Sequence, residues 1–164
     1  MAPQHTDGRL PDQTFDADEL LFRRVPFSHI EEGELSLLAI RNELKFEKNP
    51  PDCGSALRSK YCVAFTDALH SDCAKEDCSK THTVYFVRVS ELAKGVAIMP
   101  PERVPTGRWD LYPHHDPLPT CYAHSTICSC EQGTQGVPVK PPPSVRDEFR
   151  RWLRDNLQPC ENLQ

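Results

Sequence analysis

The stretch HTVYFVRVS, His82 to Ser90, constrains the fold more than any other part of the chain. Its β-branched and aromatic side chains alternate between two apolar faces, Val84 and Phe86 with Arg88 on one, Tyr85, Val87 and Val89 on the other. A strand that is apolar on both faces has to be covered on both faces. The stretch therefore predicts a central strand of a sheet with packed material above and below it.

The C-terminal segment PPPSVRDEFRRWLRDNLQP supplies one such cover. Val145, Phe149, Trp152, Leu153 and Leu157 fall on one helical stripe, with Ser144 as the expected N-cap and Asp147 three residues on. An isolated helix of this length is marginal in water, so the stripe is expected to bury on the chain's own sheet, with docking on a partner as the alternative. ELLFRRVP (Glu19–Pro26) reads as a short edge strand, ended by Pro26. SKYCVAFTDALHS reads as a short helix, SELAKG as one helical turn, and VAIMP and RWDLYP as short strands. ELSLLAIRNELKF (Glu34–Phe46) fits neither period cleanly.

Strands and helices in this irregular order argue for an α+β fold and against a doubly wound parallel sheet. The prediction is a single small domain with a mixed or antiparallel sheet and a C-terminal amphipathic helix, over residues 19–158. Residues 1–18 are polar, acidic and rich in Gly and Pro, and read as a disordered or loosely attached arm. Residues 159–164 form a tail. A chain of 164 residues with 38% hydrophobic content suits one core of this kind.

A net charge of -5 supplies no general attraction to nucleic acid or to an anionic membrane. No apolar run approaches the roughly 20 residues of a membrane span, and the first residues lack the apolar centre of a secretory signal. The expected location is therefore cytoplasmic. In that reducing setting eight cysteines read as thiols or metal ligands rather than bridges, although the even count would allow four disulfides in an exported protein.

Most of the versatile side chains fall in YPHHDPLPTCYAHSTICSC, residues 112–130. Three chemistries compete there. Zinc could be held by Cys73, Cys78 and His82 together with Cys121, Cys128 and Cys130, but the strong C-x2-C doublet is missing; no other cofactor motif is present. Cys121 could act as a nucleophile with His124 as its base and Asp116 to orient the ring; alternatively a small hydrolase or transferase could use His115, Asp116 and His124 as an acid/base site. The bland reading is a proline-stiffened turn in which Asp116 precedes Pro117, and a local network of His115, Asp116 and His124 holds that turn.

Three pieces in order, ELLFRRVPFSHI, LRSKYC and HHDPLPTCYAHSTI, resemble a loose group of short uncharacterised bacterial proteins. Those proteins share an L-[YF]-R-R-[VI] opening, an S-x-x-R-x-K-Y segment and a late H-D-P-x-P-x-x-x-A-H segment. The resemblance spans Leu20 to Ile127 and implies importance for Arg23, Arg24, Arg58, Lys60 and Tyr61 as binding residues, and for His115, Asp116, Pro117, Pro119 and His124. It implies no particular reaction, and its motifs leave out the cysteines. Rich in prolines and loops, and without a catalytic constellation that outweighs its turn reading, the chain is expected to be a small binding or accessory protein that acts through a protein partner.

Overall fold

The computed structural model describes residues 5–41, 54–70, 73–74, 76–97, 107–134 and 138–163. In chain order its strands are β1 (Leu20–Pro26), β2 (Ile30–Glu31), β3 (Glu34–Leu35), β4 (Gly54–Arg58), β5 (His82–Arg88), β6 (Trp109–His115), β7 (His124–Glu131) and β8 (Gln158–Pro159). The α-helices are α1 (Leu37–Arg41) and α2 (Pro143–Asn156). Six strands form one antiparallel sheet in the order β6-β7-β4-β1-β5-β8. β2 and β3 make a separate hairpin whose turn, Glu32 and Gly33, has positive φ at both residues, the geometry that matches strand twist. The class is α+β. Among the described residues no helix is long and apolar enough to cross a membrane.

The two faces of the sheet carry different covers. Leu21, Val25, Ala56, Tyr85, Val87, Leu111 and Ile127 face α2, which buries Val145, Phe149 and Leu153 against them, with Leu157 just past its end joining the same core. Phe22, Leu57, Val84 and Phe86 face the other way, onto Ala68 and Leu69 of a 3-10 turn and onto Cys78, Cys121 and Cys160. β5 is thus apolar on both faces because it is sandwiched, as its sequence predicted. Its place is one strand in from the two-residue edge strand β8. β1, expected at an edge, lies inside the sheet between β4 and β5, because its own two faces, Leu21/Val25 and Phe22, are both needed for burial.

Local differences have local causes. SKYCVAFTDALHS forms two 3-10 turns, Ser59–Tyr61 and Phe65–Leu69, rather than one helix, with the Asp67 carboxylate accepting the Val63 and Ala64 N–H groups between them. α2 begins at Pro143 with no side-chain cap, so Ser144 is not its N-cap; proline at the first helical position has no N–H to satisfy and a preset φ. Of VAIMP, Val96 makes a single bridge to Trp109, and the remainder from residue 98 lies outside the described residues, as does most of Glu34–Phe46 after α1.

The outer edge of β6 is closed to further strand pairing. Trp109 exchanges both backbone bonds with Val96 at 2.9 Å, and the Leu111 N–H donates to the Ala93 carbonyl at 2.8 Å. The Leu111 carbonyl accepts from Lys94 Nζ at 2.8 Å, and Pro113 has no N–H to offer. The Gln13 side chain then imitates a strand, accepting from the His115 N–H at 3.0 Å and donating to its carbonyl at 2.8 Å. An exposed edge of this length would invite pairing with other chains, and here loop, lysine, proline and arm each block part of it.

Candidate functional site

β6 and β7 carry the histidines that the sequence singles out. His115 lies opposite Ser125, so His124, one residue earlier on β7, points to the other face of the sheet. The two rings do not share a network. His115 is buried, its Nδ1 accepting from the Asp12 N–H at 2.7 Å and its Nε2 donating to the Tyr122 carbonyl at 2.7 Å. The ring stacks on Tyr61 at 5.5 Å between centroids and meets Tyr122 edge-on at 4.8 Å. His124 bonds the Asp116 carbonyl through Nδ1 at 2.6 Å and Ser55 Oγ through Nε2 at 3.0 Å. Both nitrogens of both rings are engaged in structure, and His124 meets Asp116 through backbone rather than carboxylate. The close triad expected of His115, Asp116 and His124 is not assembled.

His115 instead fastens the N-terminal arm. As donor through Nε2 and acceptor through Nδ1 it is neutral, and burial lowers its pKa below the ordinary imidazole value, opposed by its backbone bonds and by Asp12 and reinforced by the Arg58 charge. A histidine held neutral in the fold but able to protonate when unfolded adds stability above the unfolded pKa of about 6.5, and that stability is lost as pH falls below it. The melting temperature is therefore expected to fall on acidification from about pH 6.5 to 5. His115→Gln, less stable at neutral pH, should show a shallower fall over the same range, and an equal slope would remove His115 as the cause.

Around this histidine the arm meets the residues of the S-x-x-R-x-K-Y segment. Arg58 is fully buried, its Nε on Glu19 Oε1 at 2.7 Å and its Nη2 on Glu19 Oε2 at 3.0 Å. Its remaining donors reach the Asp12 and Thr14 carbonyls, and its guanidinium lies 3.8 Å from the Phe15 ring centroid. Tyr61 donates to Asp12 Oδ2 at 2.5 Å and Lys60 reaches the same oxygen at 3.4 Å. The Tyr61 hydrogen bond is the main reason that the Asp12 carboxyl is held well below the usual range. Residues 5–18 are thus pinned, not loosely attached. The composition misleads because the arm is held by hydrogen bonds and charge rather than by the apolar burial on which that reading rests.

These residues therefore bind the chain itself. Arg58, Lys60 and Tyr61 hold the arm. Arg23 and Arg24 are neighbours on β1 but face opposite sides of the sheet, Arg23 buried and Arg24 donating to the Cys73 carbonyl at 3.2 Å. They do not form one anion-binding pair.

The cysteines do not converge on a metal. Cys73 and Cys121 form a disulfide, and Cys128 is also disulfide-bonded, so none of the three offers a thiolate. Cys78 is buried with Leu69 and Phe86, Cys130 with Tyr112 under β6 and β7, and His82 Nδ1 lies 2.7 Å from Thr81 Oγ1. Among the described residues no group of three or more His, Cys, Asp or Glu side chains could hold a metal ion. The reading of Cys73, Cys78, His82, Cys121, Cys128 and Cys130 as one zinc site is corrected by these disulfides, which take three of its thiolates.

Versatile groups do meet where the arm crosses the disulfide. A hollow of about 370 Å³ is lined by His5, Arg9, Tyr61, Cys62, Asp67, His70, Cys73, Cys121 and Tyr122, among others. Arg9 places its guanidinium 3.9 Å from the Tyr122 ring centroid and its Nε 2.6 Å from Asp7 Oδ2. His70 is largely exposed, 3.8 Å from Asp67. Sequence reasoning passes over His5, Arg9, Cys62 and His70 because they are scattered singly over the first half of the chain, with no motif spacing to mark them. Tyr61, Cys73 and Cys121, already singled out for other roles, are the signals that lead to the hollow.

Compared with known proteins, the chain matches no family model, no curated protein and no solved structure.

Proposed function

We propose that this chain is a binding or accessory protein that recognises an acidic segment of a protein partner at the hollow between the arm and the Cys73–Cys121 disulfide. The observation that carries this reading is the placement of Arg9 and His70. Both line the hollow and both are substantially exposed, Arg9 with its guanidinium over the Tyr122 ring. A guanidinium steadied on an aromatic ring loses less freedom on meeting a carboxylate, which favours recognition over a passive surface role. The hydrolase or transferase alternative draws no support from His115 and His124, whose rings are fixed to backbone and to Ser55, with Asp116 meeting His124 only through its carbonyl. The Cys73–Cys121 bond supports a setting that tolerates disulfides in preference to the reducing cytoplasm.

The test is affinity purification of the full chain from its native source after mild crosslinking, beside the Arg9→Ala/His70→Ala variant. A single protein recovered with the wild-type chain and reduced about tenfold with the variant, as expected if a charged contact of roughly 1.4 kcal/mol is lost, supports the reading. A chain that runs alone, or a partner recovered equally by both, overturns it.

A further inference from the structure

The same hollow holds a disulfide and a free thiol on its walls. Cys73 and Cys121 are joined, and Cys62, a free cysteine, lines the hollow with them. The two bonded sulfurs differ in access. Cys121 is 3% exposed, whereas Cys73 is only partly buried on its loop. We propose that Cys62, Cys73 and Cys121 form a thiol–disulfide exchange centre that captures an incoming thiol at Cys73 and releases it through Cys62. The inference goes beyond the binding reading and does not depend on it.

The exchange balances without an outside oxidant. A thiolate entering the hollow attacks Cys73 Sγ, the better exposed sulfur, and the bond to Cys121 breaks; a mixed disulfide forms at Cys73 and Cys121 leaves as thiolate. That thiolate, generated among apolar side chains, is a strong base and takes the proton of Cys62. Cys62 then attacks Cys73 Sγ, forms the Cys62–Cys73 bond and expels the incoming group as the thiolate that entered. The disulfide has moved, one proton has passed from Cys62 to Cys121, and nothing is oxidised or reduced overall.

Burial, with Asp67 beside it, pushes the Cys62 thiol up to about 12. At rest it is therefore protonated and does not attack the disulfide unprompted, which suits the second thiol in the sequence and not the first. The ligand class is a thiol that carries an anionic group, since Arg9 lines the same hollow. A small molecule and a protein cysteine share that chemistry.

The experiment incubates the native full chain with reduced glutathione, or with a short acidic cysteine peptide, at mildly alkaline pH. Acid quenching and peptide mass mapping then locate the mixed disulfides. The expected result is a mixed disulfide on Cys73 that accumulates several-fold more in Cys62→Ser and Cys62→Ala than in the wild-type chain, each variant first checked for an unchanged circular dichroism spectrum. Glutathione alone reacting assigns a small-molecule thiol, and the peptide alone reacting assigns a protein thiol; either supports the centre. An intact Cys73–Cys121 bond in every native sample, while the denatured chain exchanges, overturns it and leaves a structural bridge. Equal accumulation with and without Cys62 overturns the assigned release step. Neither result bears on whether an acidic partner binds.

Discussion

Arg58→Ala is expected to be the most damaging single substitution in the chain, lowering stability by roughly 3–5 kcal/mol and freeing the N-terminal arm. Removing the guanidinium leaves the Glu19 carboxylate, whose side chain is 2% exposed, buried without its bidentate partner. The Asp12 and Thr14 carbonyls lose their donor at the same time, and Phe15 loses the cation over its ring. Breaking one side of a buried pair costs far more than the pair contributes over an apolar substitute, because the charge left behind remains desolvated. The paired variant Arg58→Met/Glu19→Leu should therefore recover most of the loss. Thermal unfolding measures the stability, and limited proteolysis reads the arm: cleavage within residues 5–18 should accelerate in Arg58→Ala. Unchanged melting and cleavage would mean that the arm is held by something other than Arg58.

Phe149→Ala should cost roughly 3–5 kcal/mol, and more than Trp152→Ala. Both residues lie on the expected stripe of α2, and by size alone tryptophan would be the greater loss. Phe149, however, is fully buried in the core formed with Leu21, Leu111 and Ile127, whereas Trp152 is only partly buried at the rim of that core. A cavity penalty arises where the surroundings cannot relax, which is the situation of Phe149. Urea unfolding of the two variants checks the order. A larger loss for Trp152→Ala would show that the rim, and not the centre of the helix, anchors α2 to the sheet.

How much of this could be read from residues alone differs from element to element. β5 and α2 were legible because each carries its own burial pattern: two apolar faces in one case, one apolar stripe in the other. Together with the irregular order of elements, they lead to an α+β domain with a helix packed on a mixed or antiparallel sheet, which the structure shows to be antiparallel. β1 was legible as a strand but not as an interior one, since its neighbours β4 and β5 lie more than 25 residues away in sequence, and which strands pair is decided by packing over the whole sheet.

The candidate site was much less legible, for reasons of register and long-range contact. Sequence proximity places His115, Asp116 and His124 together, but an antiparallel turn that sets His115 opposite Ser125 sends the two imidazoles to opposite faces. Composition makes residues 5–18 a loose arm, yet Arg58, Tyr61 and His115 hold it through partners about 40 to 100 residues distant, contacts with no signature in a local pattern. The eight cysteines carry no pairing information of their own, because bond formation depends on which Cβ atoms the fold brings close. Local periodicity determined the core elements of this protein. Only the tertiary structure decided that its motif residues bind its own arm, and that Cys62, Cys73 and Cys121 share one hollow with Arg9 and His70, because those placements are set by strand register and chain crossing.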